Sequence, residues 1–282
     1  MNHKTRGVRP NVLSALRADL PSLTPALAKV ARFVTERFDE VLQKSITEIA
    51  EDSGASEASV IRFCRDRGFV GFQDFKLGLA KELAVRDRDR SGTAPRDAIE
   101  HLAQGSIAAL RDTERLLDRK ALAGAVKALS SATRIEAFGV AASAVTACYV
   151  EYKMIRAGYP CRGLSDAHLA SMASATADRR TAFIVISSSG STHDSVSVAE
   201  RARSAGAYVI AITNRARSPL AANCNAVLLA ASPETPLTGG ALPSKISQFL
   251  IVDALLAEML AGSPRGRRAV QITAESVSDR SI

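Results

Sequence analysis

Ile186-Ser187-Ser188-Ser189-Gly190-Ser191-Thr192 sets four serines, a glycine and a threonine in one short stretch. Serine hydroxyls can donate in several directions, and glycine lets a backbone approach a ligand closely. A helix beginning near Thr192 would add free amides and the positive end of its dipole. That chemistry suits a phosphate, although a serine-rich turn that only caps a helix has the same composition. No Gly-Lys-Ser/Thr follows, so this is not a Walker loop, and the Gly-x-Gly-x-x-Gly dinucleotide fingerprint is missing. A Gly-x-Ser-x-Gly elbow would need glycine where Ile186 stands. Ser189, His193 and Asp194 crowd one helix start, which does not give the hydrogen-bonded line of a hydrolase triad. Phe138-Gly139-Val140-Ala141-Ala142-Ser143 is a second stretch of small residues, again following an apolar run.

Strands and helices must position these loops. Arg134–Phe138, Ala182–Ser187, Tyr208–Thr213 and Ala226–Leu229 are short apolar runs, with a further extended piece near Tyr159–Leu164. Helical patterns at Ala142–Ala157, Leu169–Ala177 and Asp194–Ala205 separate them, and Ile246–Leu260 forms a last long helix. This alternation predicts a parallel sheet covered by helices on both faces. Ligands of such sheets sit beyond the carboxyl ends of the strands, which is where both loops fall.

The first ninety residues read differently. Thr24-Pro25 starts a helix of about four turns, with Leu27, Val30, Ala31, Val34 and Phe38 on one stripe. Ser45-Ile46-Thr47-Glu48 is a capping box. Its helix stops at Gly54, and Ser56 caps the next. Two short helices around a glycine turn predict a helix-turn-helix, whose second helix enters the major groove of DNA. Ser56, Glu57, Ser59 and Arg62 would then face base edges. Arg62 could fork onto guanine, with Arg65 and Arg67 nearer phosphates. A small helical bundle with a solvated charged face fits the same periodicity.

The strings themselves add a resemblance. Ser45–Ala50, Ala55–Arg65 and Gly68-Phe69-Val70-Gly71-Phe72-Gln73-Asp74-Phe75-Lys76 resemble the N-terminal domain of RpiR/MurR-type bacterial transcription regulators. Ser59 stands for the usual threonine, and Arg67 for an apolar residue. Residues 120–262 resemble a SIS domain, the sugar isomerase fold, through the two loops, Asp166-Ala167-His168, Ala205–Asn214 and Ser218-Pro219-Leu220-Ala221. The resemblance implies that Ser187, Ser189 and Thr192 hold a phosphate, with Ser188 in the same loop and Ser143 from the first one. His168, Glu234 and Lys245 are candidates for reading the rest of the ligand. Ala141 departs from the frequent Gly-x-Gly-x-Ser form, which puts backbone contacts there in question.

The expected fold class is therefore mixed: an all-α helix-turn-helix domain, then an α/β SIS domain with a parallel sheet flanked by helices. The expected limits are 1–85 for the DNA-binding domain, 86–95 for an exposed linker of alternating charge, 96–265 for the phosphosugar domain and 266–282 for a disordered tail. The implied function is a transcriptional regulator, a repressor before an activator, of carbohydrate-metabolism genes. Its expected partners are double-stranded operator DNA, a phosphorylated sugar effector and further copies of itself in a dimer or tetramer. The alternative is a sugar-phosphate isomerase with Glu234 or His168 as base.

Composition is compatible with this and narrows it. The chain has 282 residues, 46% hydrophobic and 23% charged, which excludes a disordered chain or a disulfide knot. A net charge of +8 favours an anionic partner without naming one. Cys64, Cys148, Cys161 and Cys224 form no Cys-x-x-Cys pair and are expected as buried reduced thiols. No two histidines lie three or four apart, so neither a metal nor another cofactor is expected. With no signal-peptide core and no apolar run of spanning length, a cytoplasmic location without membrane contact is expected.

Overall fold

The structure, a computed structural model, describes residues 12–20, 23–90, 97–232 and 234–278. It separates into two compact units. One comprises residues 1–98 with 234–239, the other residues 99–233 with 240–282.

The N-terminal unit holds α1 (Val12–Asp19), α2 (Pro25–Glu36), α3 (Phe38–Gln43), α4 (Ile46–Ser53), α5 (Glu57–Asp66) and α6 (Phe72–Arg90). The four-turn helix expected from Thr24 is two helices, because Arg37 leaves helical geometry at φ −131° and ψ 40°. The capping box forms as read. The Ser45 hydroxyl accepts from the Glu48 amide, and the Glu48 carboxylate accepts from the Ser45 amide. Gly54 closes α4 at φ 65°, a left-handed geometry that glycine adopts at no steric cost. Ser56 then caps α5 through the Ser59 amide. Phe69 of the Gly-Phe-x-Gly-Phe string meets Phe75 edge to face at a centroid distance of 5.2 Å, Phe75 meets Phe63 in the same way at 5.6 Å, and Phe72 is buried in the same core. Phe63, Phe75, Leu79 and Ile49 lie at the centre of this core.

Two expectations change at the ends of the units. α6 runs on to Arg90, through much of the stretch read as a linker, and residues 91–95 of that stretch lie outside the described residues. The stretch read as a tail instead folds as α14 (Pro264–Glu275). Ser263 caps it through the Gly266 amide, Pro264 occupies its first turn, and the Thr273 hydroxyl donates to the Arg156 carbonyl. The last residues of that tail, 279–282, lie outside the described residues.

The second unit contains α7 (Ala98–Leu116), α8 (Arg119–Ser131), β1 (Arg134–Phe138), α9 (Ala142–Arg156), β2 (Cys161–Leu164), α10 (Ala167–Ala175), β3 (Thr181–Ile186), α11 (His193–Ser204), β4 (Tyr208–Thr213), α12 (Pro219–Ala222), β5 (Ala226–Leu229) and α13 (Leu242–Ala261), followed by α14. Its five strands form one parallel sheet in the order β2-β1-β3-β4-β5. The central β3 is buried along its whole length. Side chains alternate across the strands into two apolar clusters. Ile135, Ile184, Ile210 and Ile212 join one cluster with α8, α9 and α13. Phe138, Phe183, Val185 and Val209 join the other with α10 and α11. Among the described residues no single helix is long and apolar enough to cross a membrane.

The cysteines are all free, but they are not all buried. Burial pushes the Cys64, Cys161 and Cys224 thiols up to about 12. Cys148 is exposed, because it lies on the outward face of α9 with Val145 and Tyr152.

Candidate functional site

Two groups of residues emerge, one in each unit. In the N-terminal unit α5 presents Arg62 outward, with its side chain 71% exposed and its guanidinium 3.9 Å from Asp66. Arg65 is exposed too, its Nε donating to the Val70 carbonyl at 3.5 Å. Ser56 and Ser59 sit at the start of α5 with their hydroxyls 2.9 Å apart. Glu57 is partly committed, since the Thr47 hydroxyl donates to its carboxylate and so ties α4 to α5. Arg67 does not join this outward set. Its guanidinium pairs with Asp19, which fastens the end of α5 to α1. The sequence could not show this, because the partner is 48 positions away.

The second group lies at the carboxyl edge of the sheet. Phe138 stands opposite Val185, so the loops after β1 and β3 leave the same edge as neighbours. The β3 loop is held from behind by β4 and α12. The Ser187 amide donates to the Ile212 carbonyl at 3.1 Å, the Asn214 amide to the Ser188 carbonyl at 3.1 Å, and the Leu220 amide to the Gly190 carbonyl at 2.9 Å. Gly190 has φ 62°, and a Cβ there would come within 2.3 Å of the Ser218 hydroxyl oxygen. Close approach and backbone geometry both require glycine at this position.

The hydroxyls then fall into an ordered set. Ser187 and Thr192 oxygens are 3.1 Å apart. The Ser189 oxygen accepts from the Ser191 amide at 3.2 Å. Thr192 occupies the N-cap of α11 but makes no capping hydrogen bond. α9 and α13 also begin without a side-chain cap, whereas α8, α10, α12 and α14 each have one. The first amides of α11, beside the serines, therefore have no side-chain acceptor from the N-cap, an arrangement open to an anion. Ser143 lies in the first turn of α9, partly buried, with its amide donating to the Val140 carbonyl at 3.0 Å.

Lys245 sits in the first turns of α13 and is 9% exposed. Its ammonium donates to Gln248 Oε1 at 2.9 Å. Thr146 of α9 donates to the same oxygen at 2.6 Å, and Gln248 Nε2 donates to the Ser188 hydroxyl at 3.1 Å. Ser188 and Ser244 oxygens are 3.4 Å apart. Thr146, Ser244 and Gln248 are buried polar residues that the sequence reading did not single out. Isolated polar residues in apolar helices, 102 positions apart for Thr146 and Gln248, give no motif to find. His168 stands exposed in the first turn of α10 and is not part of this network. Glu234 falls in the short segment 234–239, which groups with the N-terminal unit.

Comparison with known proteins fits this pairing of units. The helix-turn-helix domain of the rpiR family matches residues 10–86, and the SIS domain matches residues 128–258. An HTH-type transcriptional regulator of Caldanaerobacter subterraneus subsp. tengcongensis is 34% identical over 250 residues, spanning 87% of this chain and 89% of its own. The chain belongs to the rpiR family of HTH-type transcriptional regulators. The regulator HexR of Pseudomonas aeruginosa is 31% identical over 250 residues, 87% of each chain. The structure of the Vibrio vulnificus NanR protein complexed with ManNAc-6P superposes with a TM-score of 0.89 at 35% identity, covering 96% of this chain and all of that one. These relatives of the rpiR-family protein are regulators, and the isomerase alternative is not favoured.

Proposed function

We propose that this regulator reads operator DNA with α5 and is controlled by a phosphorylated sugar bound at the carboxyl edge of its sheet. The observation that carries the second half is the β3 loop. Ser187, Ser189 and Thr192 surround a helix start that lacks a side-chain cap, with the buried cation Lys245 in the network behind Ser188. Fixed amides, hydroxyls and a cation in one place stabilise a phosphate far better than a neutral group. The likeness to a NanR protein complexed with ManNAc-6P supports the same ligand class over nearly the whole chain.

In this reading Ser143, Ser187, Ser188, Ser189, Thr192 and Lys245 contact the effector, and His168 reads its sugar. Ser56, Glu57, Ser59, Arg62 and Arg65 meet the operator. The protein works as a dimer or tetramer in the cytoplasm. Two heads grip half-sites about one helical turn apart, ~34–36 Å, or a multiple of it. It acts as a repressor of carbohydrate-metabolism genes, and the effector's differential affinity for two arrangements of the heads sets the switch.

A thermal-shift screen of phosphorylated sugars and their unphosphorylated parents tests this. One phosphorylated sugar should raise the melting temperature, with stabilisation of about 2.7 kcal/mol at a hundred times Kd. The parent sugar should not. Replacing Ser187 and Ser189 by alanine should abolish this response and leave operator binding intact. A full response in that double variant would remove the loop from the site.

A further inference from the structure

Gln248 has a geometry that exceeds the needs of packing. A lysine ammonium can only donate, so the amide atom of Gln248 facing Lys245 must be the oxygen. The Thr146 hydroxyl donates to that same oxygen. The lysine contact fixes the amide in one orientation, with its NH2 toward Ser188, and the Thr146 hydroxyl, which can donate or accept, conforms to it. Ser188 then has to accept, and one of its lone pairs is taken. What remains is its single O–H and a second lone pair, and its other neighbour within the protein, the Ser244 oxygen, is at the long distance of 3.4 Å. Thr146 and Gln248 are fully buried, so water does not compete for this chain of bonds.

We propose that Gln248 is a positioning residue of the effector site, which links Lys245 to Ser188 and turns the Ser188 O–H away from itself, where it can donate to a ligand oxygen. The ligand atom this O–H would meet is a hydrogen-bond acceptor, a phosphoryl or carbonyl oxygen. This rests on the reading of the β3 loop as an anion site. It adds a residue of α13 to the apparatus, one that need never touch the ligand.

The test is a double-mutant cycle in the full-length protein, with glucose 6-phosphate and inorganic phosphate as probes and calorimetry as the readout. Gln248→Met keeps the volume and removes the amide. Ser188→Ala removes the hydroxyl it orients. Each change alone should weaken binding of at least one probe about tenfold. Their combination should weaken it far less than the hundredfold expected of independent sites. Losses that multiply, or wild-type binding in Gln248→Met, would overturn the proposal while leaving the anion site standing. A wild-type protein that binds neither probe would overturn the anion site and this proposal together. If Gln248→Met does not fold, Gln248→Asn takes its place, since its shorter amide still packs but cannot reach both Lys245 and Ser188. The same two criteria apply to it. A purely structural glutamine would lower the melting temperature and leave the affinity of the folded protein unchanged.

Discussion

Ala141 has φ 51° and ψ −125°, and among the described residues it alone of the non-glycines has a positive φ. The Ser143 amide donates to the Val140 carbonyl across it, which closes a tight turn with Ala141 at the position where type II′ turns place glycine. So the backbone of the β1 loop keeps the path expected of glycine although a methyl group is present. Such geometry costs of order 1–3 kcal/mol, and glycine would return ~0.5–1 kcal/mol of that through its freer unfolded state. Ala141→Gly should therefore stabilise the protein by about 1 kcal/mol, read as a higher denaturant midpoint at unchanged slope. A lower midpoint would show that the surroundings relieve the strain. Arg67 teaches a second lesson at this scale. It looked like a phosphate contact by helical position alone, yet its charge is spent on Asp19.

At the scale of elements, strands were the most legible part of the sequence. β1, β4 and β5 fall where their runs begin and end, because strands covered by helices are mostly apolar; the buried Glu136 of β1, paired with Arg162, is the exception. The capped helices were legible for a similar reason: Ser45 and Ser56 advertise their helix starts in the residue type itself. α1, α3, α8 and α14 were not resolved as separate helices. Their limits depend on tertiary partners, such as Glu82 for the amide of Leu13, or on caps placed in charged surroundings, such as Asp118. In the site, the serine loop was legible as a string, whereas Thr146 and Gln248 meet only through the packing of α9 on α13. The α4 capping box permits a direct measurement. Ser45→Ala should cost about 1 kcal/mol of stability in the N-terminal unit. Chemical denaturation checks it, and an unchanged midpoint would mean that water replaces the hydroxyl at no loss.

At the scale of the whole molecule, two units of different chemistry share one chain, and each is proposed to meet an anion in its own way. The operator end should behave as a polyelectrolyte contact. Its affinity should fall with salt with a log–log slope of about −0.9 for each phosphate neutralised. Arg62→Ala should lose roughly 1–3 kcal/mol of operator binding if Arg62 meets a base, with its discrimination among operator variants relaxed at that base pair. Equal loss on every sequence would reassign Arg62 to the backbone. The effector end obeys a different constraint, set by the wedge of Gly190 against Ser218 and the amide bonds that tie the β3 loop to β4. A turn riveted to the sheet in this way is an anvil, not a hinge. If the effector binds there as proposed, any motion it provokes is taken up by the helices around the loop and not by the loop itself.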